Sequence, residues 1–310
     1  PYTTLFRSVG LERGHMTFVK REINLAFVLG EGSFGKSDSN AVEITGLRTS
    51  AQITRAGGVS MSSLNLRVWG MPLDVMQQLS VLNILALQQY RRNVVTVTAG
   101  DTVNGYGVVF SGEIKEAWVD AENSPDVCFT LTAFEGMTDK VRPVAPNSFK
   151  GSASVDVLMG SIARQMQPPR TFENNGVDVT LDNVYLPGTL DEQVRKIADA
   201  AQCVVYLDST TLAIWPAGGA RGGSIIELSA ESGLVGYPQF SQTGVSLDVL
   251  YTPSLSYGQK IRLRSTLGSP ANGDWIVANV THNLDAEVPG GQWFTHVECG
   301  RDGYPTPVIG

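Results

Sequence analysis

Between Glu22 and Gly136 apolar and polar residues alternate in short runs: "EINLAFVLG", "AVEITGL", "LNLRVWG", "NVVTVTAG", "GVVFSGEIKEAWVD" and "DVCFTLTAFEG". Successive side chains of a strand point to opposite faces. Alternation rich in β-branched and aromatic residues, bounded by Gly, Asn, Asp and Ser, therefore predicts six strands. One stretch breaks the pattern. "PLDVMQQLSVLNILAL" opens with Pro72, whose fixed φ suits a first helical turn, and spaces Met76, Leu79 and Leu82 or Asn83 along one helix face.

Past residue 140 the period changes. "SVDVLMGSIARQMQPP" places Leu158, Ile162 and Met166 four apart, with Pro168 as the stop. "TLDEQVRKIADAAQ" begins with Thr189 and Glu192, a capping box in which each side chain satisfies a free amide at the helix start. Val194, Ile197, Ala198 and Ala201 form its apolar stripe. "CVVYLD" and "TLAIWP" follow as two strands around a short polar turn.

"VRPVAPNSFKGS" (141–152) and "AGGARGG" (217–223) read as connectors. After the second come "SIIELS", "VSLDVLY", "QKIRLRS", "DWIVANVTHNL" and "QWFTHVECG", with Asn272-Gly273 as a turn. The expectation is a mainly β chain with an α+β insertion. A β-barrel unit (16–140) and a second one (221–310) flank a small α/β domain (141–220).

Composition narrows the function. Gly 33 against Lys+Arg 23 in 310 residues suits many tight turns, and 42% hydrophobic residues supply a core. A net charge of -7 lacks the broad basic footprint of a dedicated nucleic-acid binder. Cys128, Cys203 and Cys299 lie too far apart for a zinc knuckle and are odd in number, so reduced thiols are expected. No apolar run has the length of a bilayer span, and no membrane insertion is expected. "PYTTLFRS" is the translation of the end of a common sequencing adapter. Residues 1–8 are read as adapter-derived and 9–15 as read-through ahead of a start at Met16, so 1–15 are set aside as a non-native leader.

The most specific chemical motif is "GEGSFGKS" (30–37), which fits the phosphate-binding loop letter for letter. That loop works because a helix starts at its Lys-Ser end and aims free amides at the phosphates. Here Lys36-Ser37 lead into "DSN" and an alternating run, so a glycine-rich hairpin tip is favoured. The apolar run ending in Asp208 resembles that motif's magnesium-holding partner but falls at a hairpin corner. His282 and His296 with Asp248 suggest a hydrolase triad, but no G-x-S-x-G elbow accompanies them. Glu113, Glu116, Asp120 and Glu122 offer carboxylate pairs for glycosidase chemistry, or the solvated face of a strand. No catalytic residue, cofactor or metal ligand is assigned.

The last stretch carries a resemblance. "GYP" (Gly236, Tyr237, Pro238), Gly244-Val245, Pro253 to Leu255, Gly258, Asn272, Gly273, Trp275, Val277, His282 and Trp293 to Thr295 resemble the C-terminal part of baseplate hub proteins of tailed bacteriophages. That group includes late control protein D and the hub part of type VI secretion spikes. The resemblance implies that the two barrels are tail-tube-like and that the protein is a structural hub. Such a hub is a homotrimer of the virion baseplate, assembled in the host cytoplasm. It joins tail tube protein to central spike protein, meets the tape measure protein, nucleates the tube and lets DNA pass. Phe34, Trp275, His282, Trp293 and Phe294 are the interface residues expected under this reading. A carbohydrate- or receptor-binding tail module, and a nucleotide or cell-wall hydrolase, are the alternatives.

Overall fold

A computed structural model describes residues 19–35, 38–57, 60–81, 92–122, 124–240, 244–266 and 270–301. The leader, Lys36-Ser37, and Leu82 and Asn83 lie outside the described residues. The fold is mostly β: of the described residues 54% are in strands and 13% in helices. Strands β1 (Arg21–Val28), β2 (Ala41–Ile44), β4 (Ser63–Trp69), β5 (Val94–Asp101), β6 (Gly105–Asp120) and β7 (Cys128–Phe134) occupy the six alternating runs. A further strand, β3 (Thr49–Ala56), lies between β2 and β4. Helix α1 (Leu73–Leu79) starts after Pro72 and buries Val75, Met76 and Leu79. Val81 then forms a bridge with Ala117 of β6.

A short helix, α2 (Met137–Val141), leads into the middle unit. The stretch expected as a connector is a strand instead. β8 (Pro143–Ser154) pairs antiparallel with β10 (Thr180–Thr189). Its prolines fall at the first residue and at an exposed position, where an edge strand tolerates them. Helix α3 (Val155–Gln165) is capped by the Ser154 side chain and stops at Met166, just ahead of Pro168. Helix α4 (Leu190–Ala201) carries the expected capping box: Thr189 N donates to Glu192 Oε2 at 3.0 Å and Glu192 N to Thr189 Oγ1 at 3.2 Å. β11 (Cys203–Leu207) and β12 (Thr211–Pro216) form the hairpin, and β9 (Thr171–Asn174) adds to β12 in parallel. The apolar faces of α3, α4 and these strands make a core of their own, including Leu158, Ile162, Met166, Val194 and Ile197.

The last unit contains β13 (Ile226–Ser229), β14 (Leu234–Phe240), β15 (Gly244–Leu250), β16 (Lys260–Arg264), β17 (Gly273–Ala286) and β18 (Trp293–Arg301). Among the described residues no barrel closes. The strands of the first and last units instead run together as one sheet of 13 strands, with the path β14-β15-β18-β17-β3-β4-β7-β6-β5-β1-β2. The joint is β17. One edge of it carries β16 at Gly273–Ile276 and then, past an irregularity between Val277 and Asn279, β3 at Asn279–Ala286. The cores on either side remain distinct: one is built on Phe27, Phe110 and Phe129, the other on Leu247, Ile261 and Trp275. No described helix is long and apolar enough to cross a membrane.

Candidate functional site: an open sheet face and its edges

The strands that join the two units turn their apolar residues to the cores and leave the opposite face polar. Register places Leu250, Phe294, Asn283, Gln52, Asn65, Thr132 and Glu116 in one row across seven strands. Asp248, His296, Thr281, Thr54 and Ser63 make the next row. All are exposed or half-buried. Cross-strand bonds lace the rows: Gln52 Nε2 to Asn283 Oδ1 at 3.1 Å, Thr132 Oγ1 to Asn65 Oδ1 at 3.2 Å, and His296 Nδ1 with Asp248 Oδ1 at 2.7 Å. Carboxylates outnumber cations here, with Glu116, Asp248, Asp285 and Glu298 against Arg67 and the Lys115 that pairs with Glu116.

The main path of the sheet ends in two strands paired on one side only, β14 and β2. Unpaired backbone on an edge is a template for another chain. β14 presents large apolar side chains there, with Tyr237 61% and Phe240 59% exposed. Pairing with β15 slips between Val235 and Gln239, where Gly236 takes φ 68 and Pro238 has no amide to give. The "GYP" element is thus an edge bulge, a device that restricts which chain can pair with the strand.

Four of the five residues expected at an interface are committed inside the chain. Phe34 folds back from the β1–β2 loop into the first core and is 6% exposed. Trp275 is in the last core, its Nε1 donating to Ala271 O at 2.7 Å. Trp293 is buried, edge-on to Tyr251 and beneath the Arg21 guanidinium. His282 is 0% exposed, Nδ1 bonded to Thr295 Oγ1 at 2.9 Å. Burial, with the nearby Arg55 charge, lowers its pKa to about 3, so it is neutral. Only Phe294 reaches the open face. Their burial has a simple cause: alternation marks which residues share a face, and these residues sit on the core face of their strands or, in Phe34, on a loop turned inward. Tyr237 belongs to the "GYP" motif that carries the resemblance, but neither it nor Phe240 is among the residues expected at an interface.

The phosphate-loop match sits in a hairpin. Leu29 N donates to Asn40 O at 2.8 Å and Phe34 N to Ser39 O at 2.9 Å, and strand β2, not a helix, follows. Among the described residues no helix starts from the end of the loop, so the arrangement that gives the motif its phosphate affinity is missing. His296 and Asp248 do meet, but on an open strand face rather than in a cleft, while His282 is on the opposite side of the sheet. Glu113 is buried, accepting from Thr138 N at 2.6 Å, Thr138 Oγ1 at 2.7 Å and Arg92 Nε at 2.9 Å, and Glu116 pairs with Lys115. Glu113 is committed inside the chain, and Glu116 lies on the open sheet face.

This architecture is that of tail proteins. A tail protein from Neisseria meningitidis superposes with a TM-score of 0.61 at 11% identity, covering 93% of this chain and 98% of its own. The 43 kDa tail protein of prophage MuSo2 from Shewanella oneidensis gives 0.56 at 12% identity, covering 92% and 99%. An Escherichia coli component of the type VI secretion system, itself similar to phage T4 tail proteins, gives 0.55 at 11%, covering 85% and 77%. No curated protein matches the chain in sequence. The family described as baseplate hub gp41 matches residues 37–299, so the chain belongs to the baseplate hub family.

Proposed function

We propose that the protein is the structural hub of a phage or prophage tail baseplate. Three copies close a ring that seats the central spike on one side and nucleates the tail tube on the other, and DNA crosses its centre. The observation that carries this is the single sheet through both end units. Pairing of β3 with β17 joins the first and last units in one protomer, which supports reading them as two tube-like units side by side. A threefold ring then presents six such units, which is how a threefold spike meets a sixfold tube. The open edges at β14 and β2 are the surfaces that ring closure covers, with Tyr237 and Phe240 at the contact. The polar, net-acidic sheet face faces the lumen, where like charge keeps DNA from binding. We assign the protein to the virion tail, with tube, spike and tape measure proteins as neighbours, and give it no catalytic role.

The test is the mass of residues 16–310 in solution by light scattering, with electron-microscopic class averages, alone and with the spike protein encoded nearby. A trimeric ring with an open centre in either sample supports the hub. A monomer in both overturns the ring.

A further inference from the structure

The middle unit has its own core, and what joins it to the sheet is largely polar. The seam lies where β3 ends, β4 begins and β7 ends. The sheet contributes Arg55, Ser62, Arg92, Glu113 and Glu135, and the middle unit contributes Gln167, Arg170, Tyr206 and Asp208. Arg92 spans it, bonding Glu113 at 2.9 Å and Gln167 O at 2.8 Å. Asp139 of α2 lies 3.7 Å from Arg170, both side chains 2% exposed. The second connector is clamped from both sides. Arg221 N donates to Gly258 O of the last unit at 2.7 Å, and its guanidinium bonds Glu173 of the middle unit at 2.7 and 3.0 Å. Apolar contact at the seam is a small cluster of Tyr206, Ala213, Trp215 and Tyr257.

Glu135 is the seam's least settled group. It is 5% exposed, at the base of α2, where a Cβ on the next residue, Gly136, would touch Leu207 of β11. Its Oε2 closes no hydrogen bond of good geometry, and the hydrogen-bonding groups beside it are the Ser62 hydroxyl, the Ser111 backbone and, around Arg55, the Tyr206 hydroxyl. Facing it are Arg55 from β3, Tyr206 and Asp208 from β11 and its turn, and Arg170; His282 and Tyr251 lie beyond Arg55. A polar interface between units with separate cores allows one to move on the other.

We propose that the middle unit is hinged on the sheet and that the protonation state of Glu135 sets how tightly it docks, protonated Glu135 favouring the docked state. Burial raises its carboxyl from 4.5 to about 7, Arg55 opposing and Asp208 adding to the shift. In an undocked state the carboxyl returns to its ordinary range, so docking holds a proton that undocking releases. By linkage, docking weakens as pH rises through the interval between the two values and levels off above 7. For a return to 4.5, the docking constant falls about tenfold from pH 6 to pH 8. His282 is neutral over that range and drops out.

The experiment is limited trypsin cleavage of the full chain at Arg221, whose rate follows the open population when opening is fast relative to cleavage. Rates are corrected for trypsin's own pH dependence with an unstructured peptide, and cleavage at Arg195 in α4 reports unfolding of the middle unit itself. The wild type is expected to be cut at Arg221 about tenfold faster at pH 8 than at pH 6, with Arg195 unchanged. Glu135→Gln is expected to flatten the profile. Asp208→Asn, which keeps the turn's acceptor but removes a charge facing Glu135, is expected to move the rise to lower pH. A flat corrected wild-type profile, a Glu135→Gln variant that keeps the rise, or Arg195 cleavage rising in step would each overturn the proposal. None of these bears on ring formation, which light scattering reads separately.

Discussion

His282 allows a quantitative test of how the two end units are joined. It sits on β17 opposite Ile53 of β3 and Thr295 of β18, fully buried and neutral. The unfolded chain takes up a proton on this residue below 6.5, whereas the folded chain does so only near 3. Protonation therefore favours the unfolded state. The associated stability is complete above pH 6.5 and is lost as pH falls toward 3. At 1.36 kcal/mol per pH unit the loss is about 2.7 kcal/mol by pH 4.5 and about 5 kcal/mol at its limit. Glu135 works in the opposite direction between 4.5 and about 7, so the absolute stability curve is flattened there. A variant comparison removes that background. Glutamine at 282 retains a hydrogen-bonding group for Thr295 but has no charge to gain. Above pH 7, His282→Gln is expected to cost about 1–2 kcal/mol through imperfect packing and a weakened hydrogen bond. Below about pH 5.5 the deficit should vanish and then reverse. The assay is urea unfolding followed by circular dichroism at half-unit steps from pH 4 to 8. A difference between the two proteins that stays constant over that range would refute the buried, neutral histidine and the packing inferred around it.

Other residues make simpler claims. Phe34→Ala should destabilise the chain by about 3–5 kcal/mol, as expected for an aromatic removed from a core. Lys36→Ala should leave the melting temperature unchanged, and neither protein should turn over ATP in a coupled assay. Thr189→Ala removes one half of the capping box and should cost about 1 kcal/mol in denaturant unfolding. Tyr237→Ser combined with Phe240→Ser lies on an exposed edge and should leave the circular dichroism spectrum intact while abolishing the proposed trimer in light scattering.

Alternation was enough to locate most strands, because Ile23, Leu25 and Phe27 or Val245, Leu247 and Val249 spell out a buried face directly. The capping box at Thr189 was equally readable, since it depends on residues three apart. What sequence hid was β3. "TSAQITRA" buries Thr49, Ala51 and Ile53, of which only Ile53 is large and apolar, so its alternation is faint. β14 was obscured by Gly236 and Pro238, which signal a turn until an edge is known to be there. β8 read as a connector for the same reason. β3 is the joint, so the pattern shows two β units around an α/β unit but not the sheet that runs through both. For the residues expected at an interface the limit is of another kind. Burial on one strand face depends on what packs over it, and alternation cannot say which of two faces the partner takes.

The pairing of β3 with β17 also decides where mechanical load travels. In chain order the middle unit stands between the first and last units, and a pull on one would be expected to pass through it. Eight facing positions, from Thr49–Ala286 to Ala56–Asn279, connect the outer units directly. Force along the strands loads that ladder in shear, so its bonds resist together rather than one after another. The middle unit, entered at Pro143 and left at Pro216, hangs off this path. Its length and identity can therefore change, by evolution or by grafting another domain between those prolines, without altering the spacing of the two outer units.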